Sequence, residues 1–193
     1  IEDALEAYSL IDDLSILGVV LNYPSQAEES KKISNVILNT SKNNLTGVNK
    51  LCIGFIGAGN FSSRVLIPSF KKAGANLHTL VSYGGVSSTF HGNKNNFLVS
   101  STNIDDIWND EINTVVIATQ HSDHASQVIE ALNNARNVYV EKPLALTLEE
   151  LELIKIAYQN QSSQLMIGFN RRFAPHIIKM KELLDKRSSP KII

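Results

Sequence analysis

From residue 51 onward, short apolar runs alternate with stretches whose apolar residues recur at helical spacing. The runs at 51–56, 77–81, 97–99, 114–118, 138–140 and 165–168 are continuous rather than alternating, which predicts strands buried on both faces of a parallel sheet. Between them the spacing predicts helices over 62–73, 104–109, 124–135 and 148–159. Thr147 and Glu150 open the last of these as a capping box, in which each side chain satisfies the other's backbone N–H. A further amphipathic helix is predicted in APHIIKMKELLDKR, where Pro175 falls in the first turn and its missing N–H removes no hydrogen bond. Strands alternating with helices predict an α/β fold with a doubly wound parallel sheet.

Upstream the pattern differs. Ala4, Leu5, Tyr8 and Ile11 recur at helical spacing, an apolar strand follows at 18–23, and Pro24 ends it. Residues 25–50 are rich in Ser, Asn and Lys around one apolar island at 33–38, which reads as a linker or a lightly docked segment. The chain opens on Ile1 in mid-helix character with no N-cap, so a piece of a longer protein is expected. The organisation expected is a remnant of a preceding domain at 1–23, a linker at 24–50, an α/β domain at 51–170 and the start of another domain at 171–193.

A chain of 193 residues suits one domain plus such pieces. Hydrophobic residues make up 43% and charged residues 19%, with a formal net charge of -1, so no basic or acidic field points to nucleic acid or a membrane surface. A small molecule is the expected partner. The single cysteine, Cys52, lies in an apolar run and allows no intrachain disulfide, and no window reaches the roughly 18 apolar residues of a membrane span. A reducing cytoplasm is the expected location. Trp108 and Phe97 lack an accompanying basic patch and are expected in the core.

GFIGAGNFSSRVL, residues 54–66, places Gly57-Ala58-Gly59 between a predicted strand and a predicted helix. In that context the first glycine permits a tight turn, and the second lets backbone amides approach a phosphate at the helix N-terminus. The expected fold is therefore of Rossmann type. Ser62 stands where a third glycine would pack helix on strand, and it is small enough to do so. No Asp or Glu occurs between Gly59 and Asp105, so the carboxylate that usually binds the adenosine ribose is missing. Ser82, Ser87 or Lys94 would suit a 2′-phosphate instead, and NAD against NADP stays open.

NVYVEKPLALTLEEL, residues 137–151, sets Glu141-Lys142-Pro143 directly after the fifth strand from residue 51, at the ligand edge of an open α/β sheet. A lysine there can hold a ribose or substrate hydroxyl and help move a proton, while Pro143 fixes the backbone that presents it. Arg171-Arg172 follows the next strand at the same edge.

Taken in order, GAGNF, VVIATQHSDHA, VEKPLALT and IGFNRRFAP resemble the Gfo/Idh/MocA family of NAD(P)-dependent oxidoreductases, over residues 51 to about 180. The resemblance implies that Gly57, Gly59, Asn60 and Phe61 lie along the cofactor phosphates. It places Thr119, Gln120, His121 and His124 beside the path from adenine to nicotinamide, and Glu141 and Lys142 near the nicotinamide and its ribose. Lys142 corresponds to the family's catalytic-site lysine, and Arg172 to an arginine near cofactor or substrate. Ser82, at the end of the second strand, completes the expected cofactor contacts. His121 and His124 are spaced to share a helical face, but no third ligand is near. No metal is expected, and Asp123 or Ser122 is expected to cap the following helix.

The N-terminal piece, IEDALEAYSLIDD with LGVVLNYP, is similar to the closing helix and strand of a zinc-type medium-chain alcohol dehydrogenase domain. That order resembles a bi-domain oxidoreductase group associated with bacterial surface polysaccharide formation. The implied reaction moves hydride between a nicotinamide cofactor, NAD or NADP, and a hydroxyl-bearing carbon of a sugar, nucleotide sugar or cyclitol. The family's Asp-x-x-x-His motif and substrate domain, whose sheet pairs subunits into homo-oligomers, are expected beyond Ile193, so this chain is expected to bind cofactor with little turnover. A non-catalytic dinucleotide-sensing or assembly module is the alternative.

Overall fold

The apolar run after residue 50 becomes a central strand buried at every position. In chain order the strands are β1 (Asn35–Ile37), β2 (Cys52–Ile56), β3 (Asn76–Val81), β4 (Val99–Ser101), β5 (Thr114–Ile117), β6 (Asn137–Val140) and β7 (Leu165–Ile167). They lie side by side as β1-β4-β3-β2-β5-β6-β7, all parallel except β1, which runs antiparallel along β4. A π-wound segment, Ser62–Leu66, leads into α1 (Ile67–Lys72); α2 (Val86–Asn95), α3 (His124–Asn133) and α4 (Leu148–Gln159) make further connections, and α5 (Pro175–Asp185) follows β7. This is the doubly wound Rossmann arrangement that the alternating pattern predicts.

The computed structural model describes residues 34–40, 51–159 and 161–185, with Ser9 and Ser15. The chain divides into two compact units, Ile1–Ile33 and Ser34–Ile193. The helix and strand expected within 1–23 lie outside the described residues.

One face of the sheet holds Val115, Ile117, Val128, Leu132 and Ile154, and the other holds Phe55, Ile67, Leu80, Phe97 and Val116. On the second face the rings pack edge to face in series. Phe97 meets Phe55 at 5.8 Å, Phe55 meets Phe70 at 5.7 Å, and Phe70 meets Tyr139 at 5.6 Å. Phe97 is fully buried as expected, while Trp108 packs at the edge of the core and donates its indole N–H to Glu130 Oε1 at 3.1 Å.

The structure departs from the sequence pattern where burial is polar. The strand expected at 97–99 lies instead at Val99–Ser101, because Ser100 and Ser101 are buried through hydroxyl bonds rather than apolar contact. The Ser101 hydroxyl donates to Asp106 Oδ2 at 2.6 Å, and that of Ser100 donates to Ser88 Oγ at 2.9 Å. Val86–Asn95 forms a helix that its weak apolar spacing does not reveal. Its first turn is capped when Ser88 N–H donates to Ser82 Oγ at 3.1 Å, and Asn96 closes it in the left-handed conformation. The helix expected at 104–109 shortens to a 3-10 turn, Ile104–Ile107. Within the expected linker, the apolar island supplies β1, and Leu38 packs over Gly92. The capping box forms as read: Glu150 N–H donates to Thr147 Oγ1 at 3.1 Å, and Glu150 Oε2 accepts from Thr147 N–H at 3.2 Å.

At the far end of the strands from the glycine loop, His78 is buried between Thr79 and Glu111. A neutral ring satisfies both neighbours: Nδ1 accepts from the Thr79 hydroxyl at 2.8 Å and Nε2–H donates to Glu111 Oε2 at 3.3 Å. Burial lowers the His78 pKa below 6.5, partly opposed by the Glu111 charge and hydrogen bond. Burial also pushes the nearby Cys52 thiol up to about 11, with the Glu111 charge adding to the shift, so it stays protonated.

Because the folded state binds the His78 proton less readily than the unfolded chain, its contribution is full above 6.5 and is lost as pH falls through 6.5 toward the lower folded value. The urea midpoint should fall between about pH 7.5 and about pH 5.5, and His78→Gln should flatten that fall. An equal slope in the variant would remove His78 as its cause.

Candidate functional site

β3 and β5 flank β2, so the connections leaving β2 and β5 diverge and a crevice opens at the C-terminal ends of these strands. Gly57 begins the turn out of β2 at φ 103°, where an L side chain is strained, and its N–H donates to Val81 O at 2.9 Å. A Cβ at Gly57 would collide with the Ala118 carbonyl oxygen and lie 2.7 Å from its carbonyl carbon. Gly59 is the opposite case, since a Cβ there meets nothing within 4 Å. The first glycine is required by the protein's own packing; the second keeps the cleft floor clear for a ligand to approach the backbone.

The cleft has two bays. The larger, of about 960 Å³, is lined by Gly57, Gly59, Ser82, Thr119 and Gln120, among others. The smaller, of about 280 Å³, is lined by Phe61, Thr119, His121, His124, Glu141 and Lys142, with Asn170. Ala118 and Thr119 line both, which makes the bays one continuous trough. Thr119 is held there by donating its hydroxyl to Gln127 Oε1 at 2.7 Å.

Three contacts hold the Glu141-Lys142-Pro143 segment at the small bay. Glu141 N–H donates to Ile117 O at 3.0 Å, extending the β5–β6 pairing beyond the strand ends. The Tyr139 hydroxyl donates to Glu141 Oε1 at 2.8 Å. Burial raises the Tyr139 pKa, and its hydrogen bond to Glu141 and that charge raise it further, so the phenol remains a donor across the neutral range. His124, fully buried, donates Nδ1–H to Pro143 O at 2.7 Å, the backbone atom just past the cis Lys142–Pro143 peptide. Lys142 itself is exposed at the bay.

Most of the expected cofactor residues therefore meet in the trough, with some changes of role. His124 is a wall residue whose ring positions the Lys142 loop, and it packs edge to face on His121 at 5.6 Å. Asn60 does not line either bay; its carbonyl accepts from the Ser63 hydroxyl at 3.4 Å in the first turn of the helix. Arg172 also stands away from both bays, with its guanidinium donating to Ile167 O at 3.3 Å and stacking on Phe173 at 5.1 Å. Asn170, two positions earlier, reaches the small bay instead. Lys94 lies in the last turn of α2 and does not line the cleft, whereas Ser87 does. Asp123 occupies the N-cap position of α3 without a side-chain cap bond and accepts at Oδ1 from the Ser122 hydroxyl.

Sequence reasoning missed Tyr139 and Gly168. A Cβ on Gly168 would lie 2.7 Å from Glu141 Oε1 and 2.8 Å from the Tyr139 hydroxyl, so the glycine leaves room for that pair. The signal is a glycine ending β7 beside a tyrosine two residues before Glu141.

Residues 51–169 match the model of a family described as Oxidoreductase family, NAD-binding Rossmann fold (GFO_IDH_MocA). The chain is 32% identical over 134 residues to "Oxidoreductase P35" of Formosa agariphila, covering 68% of this chain and 42% of that protein. It is 35% identical over 74 residues to the scyllo-inositol 2-dehydrogenase (NAD(+)) of Bacillus subtilis, covering 38% of this chain and 22% of that protein. Among solved structures, the scyllo-inositol dehydrogenase of Lactobacillus casei with bound NAD(H) and scyllo-inositol superposes with a TM-score of 0.66 at 23% identity, covering 71% of this chain and 40% of that one. At that identity the likeness establishes the fold. In each comparison less than half of the relative's length is matched.

The two constraints at the trough make separable predictions for stability. Gly57→Ala should cost about 2 kcal/mol or more, from the positive φ and the collision with Ala118. Gly168→Ala should cost about 1–3 kcal/mol by displacing Glu141 from Tyr139. Denaturant titration measures both, and wild-type midpoints would contradict the geometry.

Proposed function

Since this chain belongs to the Gfo/Idh/MocA oxidoreductase family and carries its NAD-binding Rossmann domain across residues 51–169, we propose that it holds a nicotinamide dinucleotide along the two-bay trough. The enzyme it serves then transfers hydride to or from a hydroxyl-bearing carbon of a sugar, nucleotide sugar or cyclitol. The observation carrying this reading is the shared Ala118–Thr119 wall, which joins a bay with a bare glycine floor to a bay bounded by Glu141 and Lys142. The relative named as a scyllo-inositol 2-dehydrogenase supports the cyclitol side of the substrate class.

Gly57 and Gly59 bring backbone amides at the start of the Ser62–Leu66 segment toward a pyrophosphate, with Thr119 and Gln120 lining the same bay. When bound, the nicotinamide supplies the hydride donor or acceptor at C4. Glu141, fixed by Tyr139, would bind the nicotinamide ribose in the small bay. Lys142 donates a hydrogen bond to the reacting substrate oxygen and passes a proton to or from it as the carbon is reduced or oxidised. His124 acts through Pro143, holding the loop that presents Lys142.

We read residues 1–23 as the end of a medium-chain dehydrogenase-like domain, which sets the protein in bacterial polysaccharide formation. A cytoplasmic location fits the single buried cysteine, and among the described residues no helix is long and apolar enough to cross a membrane.

Titration with reduced dinucleotide, followed by its fluorescence, should saturate with a Kd below about 1 mM. Gly59→Ala should weaken that binding about tenfold or more while leaving the melting temperature unchanged. Lys142→Ala should leave the affinity within about threefold and lower kcat of the intact enzyme about 100-fold. Absence of saturation with both NADH and NADPH at millimolar concentration would sink the proposal, and an unchanged kcat would remove Lys142 from the chemistry.

A further inference from the structure

The wall of the larger bay that follows β3 is where a dinucleotide fold usually presents a carboxylate to the adenosine ribose. Here it is formed by Ser82, Tyr83, Gly84 and Ser87, none of which carries a charge. Among the described residues that line this bay the only charged group is Asp123, on the β5 side of the crevice. Among the described residues no Lys or Arg lines it.

The Ser82 side chain is committed to the first turn of α2. Ser82 Oγ accepts from Ser88 N–H at 3.1 Å and donates to Ser88 Oγ at 2.9 Å. Two backbone donors that would otherwise cradle a phosphate at the start of α2 are also used, Gly85 N–H on Ser82 O at 3.2 Å and Val86 N–H on Gly84 O at 2.8 Å. Among the described residues this wall thus offers neither an anion to accept from a ribose diol and repel a phosphate nor a cation to attract one.

Resting on the dinucleotide reading above, we infer that this chain does not discriminate at the 2′ position of the adenosine ribose and binds NAD and NADP with similar affinity. Ser82 and Tyr83 occupy the positions that set this choice. Their neutrality leaves a 2′-hydroxyl or a 2′-phosphate equally to solvent.

The test is paired titration of the chain with NADH and NADPH at one ionic strength, followed by fluorescence. The two dissociation constants should agree within about tenfold. Ser82→Asp keeps an acceptor for Ser88 N–H while adding a carboxylate, and should shift the ratio about tenfold or more toward NADH. Tyr83→Arg, at a fully exposed side chain, should shift it about tenfold or more toward NADPH and keeps the test decisive if the Ser82 variant does not fold. A wild-type preference of about tenfold or more for either cofactor, or two folded variants with the wild-type ratio, overturns this inference alone. Failure of both cofactors to bind overturns the dinucleotide reading and this inference with it.

Discussion

The approach of Gly57 to the backbone of Ala118 decides where this molecule can hold a ligand. β2 lies between β3 and β5, and the chain leaving β2 must turn at once, at positive φ, hard against the carbonyl that ends β5. Any side chain at Gly57 would force the two loops apart. With glycine there, the Gly57–Gly59 turn and the Ala118–Thr119 segment form adjoining walls of a trough, which then extends toward Lys142 because β6 pairs beside β5. The crevice is thus a property of strand order and one close backbone contact, and the chemistry is arranged along it.

The Lys142 end of the trough depends on a second layer of support. Lys142 belongs to a loop, and loops place side chains loosely unless their backbone is fixed. Here Glu141 is tied to Ile117 through its N–H and to Tyr139 through its carboxylate, while Pro143 is tied to the buried ring of His124. Tyr139 in turn ends the aromatic series that runs through Phe70 and Phe55 to Phe97. The core of one sheet face therefore reaches the Glu141 carboxylate through a hydrogen-bonded tyrosine.

What the sequence made legible follows from which forces leave a pattern. Apolar runs mark β2 and β5, because strands buried on both faces favour apolar residues at nearly every position, whereas β3 also buries His78 and Thr79 and β6 is buried only at alternate positions. β4 and α2 escape that logic: Ser88, Ser100 and Ser101 are buried by exchanging hydroxyl bonds, which leave no apolar period. β1 escapes it too, because a three-residue antiparallel edge strand in a polar segment is recognisable only once β4 exists to pair with it. At the site, Gly57, Gly59 and Lys142 were legible from their context between strand and helix. The departures of Asn60 and Arg172 from the trough were not, since each is set by a local bond to Ser63 or to Ile167. Gly168 matters through space that it leaves for Glu141, a role visible only when β6 and β7 are side by side.

The central claim is that the glycine turn and the Glu141-Lys142 segment belong to one dinucleotide site. Amide hydrogen exchange with and without saturating reduced cofactor tests it most directly, because peptides spanning Gly57–Phe61 and Val140–Lys142 report on the two ends separately. The account predicts that both slow together with the same concentration dependence. Slowing confined to the glycine turn, with the Lys142 segment unchanged, would contradict it.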